Sequence, residues 1–257
     1  MGGCEEQRRA LGNPVVITEK TFALRYSGFW KGLLPMLERH TRRCNEAGVK
    51  VFRPLKTTQA ASARGGINEL GFQLFLESQK TGIEPSKLPE ASVSRCMTFA
   101  SNQISELRQA SRQPLAAVNA TASTESLELA ERLLRFLKAR SPALCLLRPS
   151  FPGCGWVESC AGDLVCDGTL VEVKAGARGF RSADFRQALI YCALAFASKS
   201  IEIERVCLLN LRTGLGIEDS LEALCQEAAG VGSVDVLSEI ISFCTETDDR
   251  QVGWGIE

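Results

Sequence analysis

The sequence predicts an α/β fold: a mixed β-sheet flanked by helices, with a helical extension ahead of it. Three observations predict it. The stretch Asp163-Leu164-Val165-Cys166-Asp167-Gly168-Thr169-Leu170-Val171-Glu172-Val173-Lys174 surrounds an Asp-Gly pair, the two-residue loop that a type I′ reversal prefers because both central positions need φ > 0. A helical stretch from about Ala183 to Ala197 follows, with Ser182 as its N-cap. The run 203–211 then reads as a strand closed by Arg212-Thr213-Gly214. Hairpin, helix and strand in that order give the flanked sheet.

The remaining elements follow in chain order. An extended opening near Pro14-Val15-Val16-Ile17 leads to a helix from about Phe22 to Ala47, interrupted by Pro35. Phe22, Tyr26, Phe29 and Trp30 sit on it at helical spacing, which favours core packing over a base-stacking surface. A second helix spans about Ile67 to Lys80. Residues 81–123 are looser, with Pro85, Pro89 and Pro114 and a helix near Ser101 to Ala110. From there a helix near Glu125 to Arg140, strand material at Leu144 to Arg148 and Trp156 to Ser159, and two terminal amphipathic helices, near Ser220 to Ala229 and Val234 to Phe243, complete the reading. The chain thus divides into a mainly helical region, residues 1–123, suited to binding nucleic acid or a partner, and a core, residues 124–257.

Composition sets limits on this reading. A chain of 257 residues, 45% hydrophobic, buries one large core or a core with an appendage. No apolar run approaches a membrane span and the first residues lack a signal peptide's apolar segment, so a cytoplasmic location without membrane contact is expected. The eleven cysteines form no Cys-x-x-Cys pair and read as small buried hydrophobes. The one histidine, His40, lies in a basic run and is expected at the surface. Formal neutrality conceals a split: residues 1–120 carry 17 Lys+Arg against 10 Asp+Glu, and the remainder 13 against 20. Either a polyanion lies between the basic first half and the arginines Arg178, Arg181 and Arg186, or the charge serves solubility.

The hairpin register is arithmetic. Cys166 faces Thr169, Val165 faces Leu170, Leu164 faces Val171 and Asp163 faces Glu172, with Cβ atoms of such pairs about 4.5–5.5 Å apart. Lys174, two residues beyond Glu172, shares that face. Opposed carboxylates repel and call for a cation. Either a divalent metal sits between them, Mg²⁺ or Mn²⁺ by the all-oxygen donor set, or Lys174 itself neutralises the pair. Gln187 and Tyr191 share one face of the following helix, one turn apart.

Asp163, then Glu172-Val173-Lys174, then Gln187-Ala188-Leu189-Ile190-Tyr191 resembles the PD-(D/E)XK phosphodiesterase superfamily, and within it the RecB-like branch with its Gln-x-x-x-Tyr helix. The resemblance covers about residues 140 to 212. It implies a restriction-endonuclease-like αβββαβ core with Asp163, Glu172 and the main-chain carbonyl of Val173 as metal ligands. It also implies Lys174 as the catalytic lysine, and Gln187 and Tyr191 as residues that position the substrate backbone or Lys174. A further carboxylate from an upstream helix is implied too; Glu69, on a narrow polar stripe with Gln73 and Glu77, is the candidate and Glu131 the alternative.

The function so implied is metal-dependent hydrolysis of phosphodiester bonds in nucleic acid, DNA before RNA, with Arg178, Arg181 and Arg186 gripping flanking phosphates. Chains of this size without a motor motif suit bacterial defence, restriction or repair, alone or in a larger assembly. The other reading is a nuclease scaffold without turnover that binds nucleic acid or protein.

Overall fold

The computed structural model describes residues 16–56, 63–111 and 120–246. Pro14, Val15 and Pro114 lie outside them. Thr18 opens the first helix by accepting the Thr21 N–H on its hydroxyl, and Glu19–Leu24 (α1) follows. Tyr26, at φ 56°, turns the chain into Ser27–Leu33 (α2), and Pro35 separates that from Leu37–Ala47 (α3). The single helix expected here is therefore three. Pro35 announces its break, whereas nothing in a tyrosine side chain signals a left-handed turn.

Packing explains that turn. The Phe22 and Trp30 rings are buried with centroids 4.9 Å apart, Tyr26 stacks on Trp156 at 5.2 Å and Phe29 on Phe243 at 3.9 Å. The Trp30 indole N–H donates to the Phe22 carbonyl at 2.9 Å, folding α2 back on α1. These aromatics are core, as their spacing implies.

A short strand, Val49–Lys50 (β1), precedes three longer helices, Arg64–Thr81 (α4), Glu90–Ser111 (α5) and Ala120–Arg140 (α6). Helix α5 begins well before the expected Ser101. Its first N–H groups bond back to the Pro89 carbonyl, so that proline marks a helix start and not a loop.

The strands Cys145–Leu147 (β2), Ser150–Phe151 (β3), Cys160–Ala161 (β4), Leu164–Cys166 (β5) and Thr169–Lys174 (β6) come next, then helix Ser182–Ser198 (α7). Arg205–Asn210 (β7), Leu215–Ser220 (β8), Leu221–Ala229 (α8) and Ser233–Glu246 (α9) complete the described chain. Trp156 to Ser159 is not a ladder strand: Val157 makes only single bridges, to Ile17 and Cys154.

Six strands form one mixed sheet in the order β1-β8-β7-β6-β5-β2. Asp167 and Gly168 both take positive φ, 45° and 71°, and the β5–β6 register pairs Leu164 with Val171, Val165 with Leu170 and Cys166 with Thr169, as the turn dictates. Helix α7 carries the chain over to β7, which runs parallel to β6. Alternation along β7 feeds two cores. Val206 and Leu208 pack with α1, α2, α3, α7, α8 and α9 on one face, while Cys207 and Leu209 pack with α4, α5 and α6 on the other. Elements from both sides of residue 123 share each core.

Two local expectations fail for physical reasons. His40 is buried, with Nδ1 2.7 Å from Glu227 and Nε2 3.3 Å from the Cys44 sulfur, so its polar atoms are satisfied inside the fold. Cys145 and Cys166 oppose each other across β2 and β5 and are joined through their sulfurs, while the other described cysteines are free. Among the described residues no single helix is long and apolar enough to cross a membrane.

Gly71 lets α4 and α6 approach closely. A Cβ there would stand 2.9 Å from the Ser126 carbonyl oxygen and 3.0 Å from the Leu129 Cβ. Alanine in a helix interior ordinarily stabilises relative to glycine. Here Gly71→Ala is expected to destabilise by about 1–3 kcal/mol through overpacking, read as a lower denaturation midpoint at unchanged m-value; a higher midpoint would show that α4 and α6 separate freely.

Candidate active site

The hairpin, the start of α7 and the start of α1 converge on one cleft of about 410 Å³. Asp163, Glu172, Val173, Lys174, Gln187 and Tyr191 all line it, together with Lys20, Asn68, Glu69, Phe72 and Arg148. Parity along the strands explains the grouping: Val165 on β5 and Leu170 on β6 pack on the α7 side, so Asp163, Glu172 and Lys174 face α7 as well.

Lys174 is the hub. Its Nζ donates to Glu172 Oε1 and to Gln187 Oε1, both at 2.7 Å, and lies 3.6 Å from Asp184 Oδ1. Burial lowers the proton affinity of this amine, but Glu172, Asp184 and Asp163 more than offset that and raise it above the ordinary lysine value. In the metal-free fold Lys174 is thus a held cation.

Asp163 sits one residue before the β5 ladder begins. Its Oδ2 accepts the Val173 N–H at 2.7 Å, so a side chain caps the strand where backbone pairing has ended. Because a strand residue sends its N–H and C=O to the same edge, the Val173 carbonyl faces Asp163 too. Burial, and then the Glu172 charge, push the Asp163 carboxyl up to about 7. Glu172 is itself buried, and its Oε2 has no hydrogen-bond partner. An orphaned carboxylate oxygen beside a second, proton-hungry carboxylate is a donor set that suits a hard divalent cation. Among the described residues no three His, Cys, Asp or Glu side chains form a metal-holding group, so such an ion would rest on Asp163, Glu172, a main-chain carbonyl and water.

Of the two upstream glutamates, Glu69 lines the cleft and accepts from Gln73 Nε2 at 2.8 Å, whereas Glu77, on the same stripe, pairs with Arg95. Glu131 lies elsewhere, beside Glu84, Arg135 and Lys138. The three arginines are not brought together. Arg178 is ion-paired to Asp184 at 3.0 Å, Arg181 is exposed, and Arg186 packs its guanidinium over the Trp30 ring at 5.7 Å. The cations on the cleft wall are instead Lys20 and Arg148.

Sequence reasoning missed Glu19. It is buried, and its Oε1 accepts from the Tyr191 hydroxyl at 3.2 Å and from Gln187 Nε2 at 3.3 Å. The signal was present: Thr18 is an N-cap, and Glu19 stands three and four residues before the buried Phe22 and Ala23, on the same helix face. Burial, followed by Glu172, Glu19 and Asp163, raises the Tyr191 proton affinity, so the phenol stays a donor.

The loop after Lys174 is held as firmly. Asn210 Nδ2 donates to the Gly176 and Arg178 carbonyls at 3.0 and 2.9 Å, and the buried Arg212 donates to the Ala175 carbonyl at 2.9 Å, to Asn68 at 2.9 Å and to Glu125. At the head of α7, Asp184 accepts the Arg181 N–H at 2.8 Å, making Arg181 the cap and Ser182 the first helical residue. Comparison of the chain with family models, curated proteins and solved structures finds no match.

Asp163 gives the metal-free protein a specific pH dependence. Its folded pKa, about 7, lies above the ordinary aspartate value, so its favourable contribution is complete in acid and is lost as pH rises toward and through 7. Asp163→Asn, which keeps an oxygen for the Val173 N–H, is therefore expected to gain in Tm relative to the parent as pH is raised from 4.5 to 8 in chelator. Parallel Tm profiles would show that Asp163 ionises as a solvent-exposed carboxylate does.

Proposed function

We propose that this chain is a metal-dependent nuclease of the PD-(D/E)XK kind, of its RecB-like branch, hydrolysing phosphodiester bonds with DNA as the first substrate to test. The observation that carries the proposal is the Lys174 ammonium bonded at once to Glu172 and Gln187 beside an unsatisfied Glu172 oxygen. Topology adds support. With the β3–β4 pair set aside as an insertion after β2, the sheet runs as an antiparallel meander β2-β5-β6 followed by a parallel crossover through α7 to β7, an arrangement that supports the expected αβββαβ core.

In this reading Asp163, Glu172 and the Val173 carbonyl hold Mg²⁺ or Mn²⁺, which supplies positive charge at the scissile phosphate and acidifies water. Glu69 lies in the same cleft and remains the upstream carboxylate nearest to that role. Lys174 contributes fixed positive charge where negative charge accumulates on the phosphorus oxygens in the transition state. Gln187 and Tyr191 hold Lys174 in place, and Lys20 and Arg148 meet the flanking phosphates from the cleft wall. Arg181 and the exposed part of Arg178 extend that grip outside the cleft. Service in defence, restriction or repair fits such an activity.

The test is cleavage of plasmid and single-stranded DNA with Mg²⁺ or Mn²⁺, wild type beside Lys174→Ala. Wild type is expected to cleave only with metal, and the variant to lose about 10²–10³-fold in rate while still binding DNA. Equal rates would remove Lys174 from the chemistry. Binding without cleavage in both proteins would favour a nuclease scaffold retained for nucleic-acid binding.

Mg²⁺ is also expected to raise the Tm of wild type at pH 8, by relieving the repulsion between Asp163 and Glu172, and to leave that of Glu172→Gln nearly unchanged. Equal shifts in the two would place the ion elsewhere.

A further inference from the structure

We infer that Glu19 is a positioning residue of this site: its carboxylate dictates which way the Gln187 amide points and, through that amide, where the Lys174 ammonium is held. The consequence for activity rests on the nuclease reading, while the arrangement itself rests on geometry alone.

Gln187, Tyr191 and Glu19 close a directional ring, and Lys174 donates into it. Lys174 can only donate, and it donates to Gln187 Oε1 at 2.7 Å. A carboxylate can only accept, and Glu19 Oε1 accepts from Gln187 Nε2 at 3.3 Å and from the Tyr191 hydroxyl at 3.2 Å. Between them, Gln187 Nε2 also donates to the Tyr191 oxygen at 3.0 Å. Amide and phenol are each able to bond either way round, so the two single-purpose ends decide for them. A reversed amide would set its oxygen against the Glu19 carboxylate and its NH₂ against the ammonium, replacing attractions by repulsions at the buried floor of the cleft: Glu19 is 8% exposed, Gln187 5% and Tyr191 2%.

Glu19 can do this because α1 does not move independently of the core. Thr18 caps its start, and Phe22, one turn on, is locked among Trp30, Tyr26 and Trp156. The segment that delivers Glu19 lies about 140 residues upstream of the hairpin, outside the Asp…Glu-x-Lys pattern.

The experiment has two arms, with Glu19→Met as the variant that keeps the reach of the side chain and removes both acceptor oxygens. The first does not depend on activity: the Gln187 side-chain NH₂ protons, followed by ¹⁵N NMR, are expected to exchange with solvent at least tenfold faster in Glu19→Met at unchanged fold. Unchanged exchange would overturn the inference. Should Glu19→Met not fold, Glu19→Ala, which adds no bulk, is expected to give the same acceleration and decides the question in its place.

In the second arm, Mg²⁺-dependent DNA cleavage by Glu19→Met is expected to fall about tenfold in kcat with KM within twofold. The double variant with Gln187→Leu should be no slower than Gln187→Leu alone, since both act on Lys174 through one amide. Multiplying losses would overturn the inference. So would a kcat restored by tenfold more Mg²⁺, which would make Glu19 a metal ligand. A wild type that cleaves nothing would remove the nuclease reading and leave the exchange arm standing.

Discussion

Like charge gathered away from water is the constraint around which this molecule is arranged. Asp163 and Glu172 are brought face to face by the shortest reversal a β-ribbon allows, and Glu19 arrives from another helix to stand behind them. Three carboxylates in a low-dielectric region cost far more than surface acids do, and each needs a donor or a cation nearby. The fold supplies them unequally. Glu19 receives two neutral donors, Asp163 receives a backbone N–H, and Glu172 shares one oxygen with Lys174 while its other oxygen has none. That imbalance makes Glu172 the least satisfied of the three acids.

The framework around the acids is correspondingly stiff. Arg212 ties the loop after β6 to α4 and α6, Asn210 braces the same loop, and Asp184 both caps α7 and holds Arg178. On the far side, the ring cluster of Phe22, Tyr26, Phe29, Trp30, Trp156 and Phe243 fixes α1. A set of charges that must meet within a few tenths of an ångström needs such support, because a shift of one side chain would exchange a hydrogen bond for a repulsion.

What was legible in the sequence was whatever local geometry determines. Asp167-Gly168 fixes the hairpin, the hairpin fixes the pairing of Leu164, Val165 and Cys166 with Val171, Leu170 and Thr169, and period-two alternation puts Lys174 beside Glu172. A four-residue spacing puts Gln187 beside Tyr191. Contacts between distant segments were not legible. Strand β8 contains Gly216, Glu218 and Asp219, poor strand formers that pair only because β7 and β1 lie on either side. Arg186, expected on a phosphate, packs over Trp30, and Glu19, which the sequence did not single out, accepts from Tyr191. His40, in a run of charged neighbours, was buried by a glutamate far along the chain.

The placement of the basic residues extends the same reasoning. A cation that neutralises an acid of the fold is spent on the protein and has little left for a ligand. Arg178 is partly committed in this way to Asp184, Arg132 to Glu128 and Arg212 to Glu125. Lys20 and Arg148, by contrast, stand on the wall of the cleft that holds the acids. Lys20 follows Glu19 in the chain and lines that cleft, while Glu19 itself lies buried behind it. Helix α1 thus carries an acid that orders the interior of the site and a base that faces its opening, and the folding of that one turn couples the two.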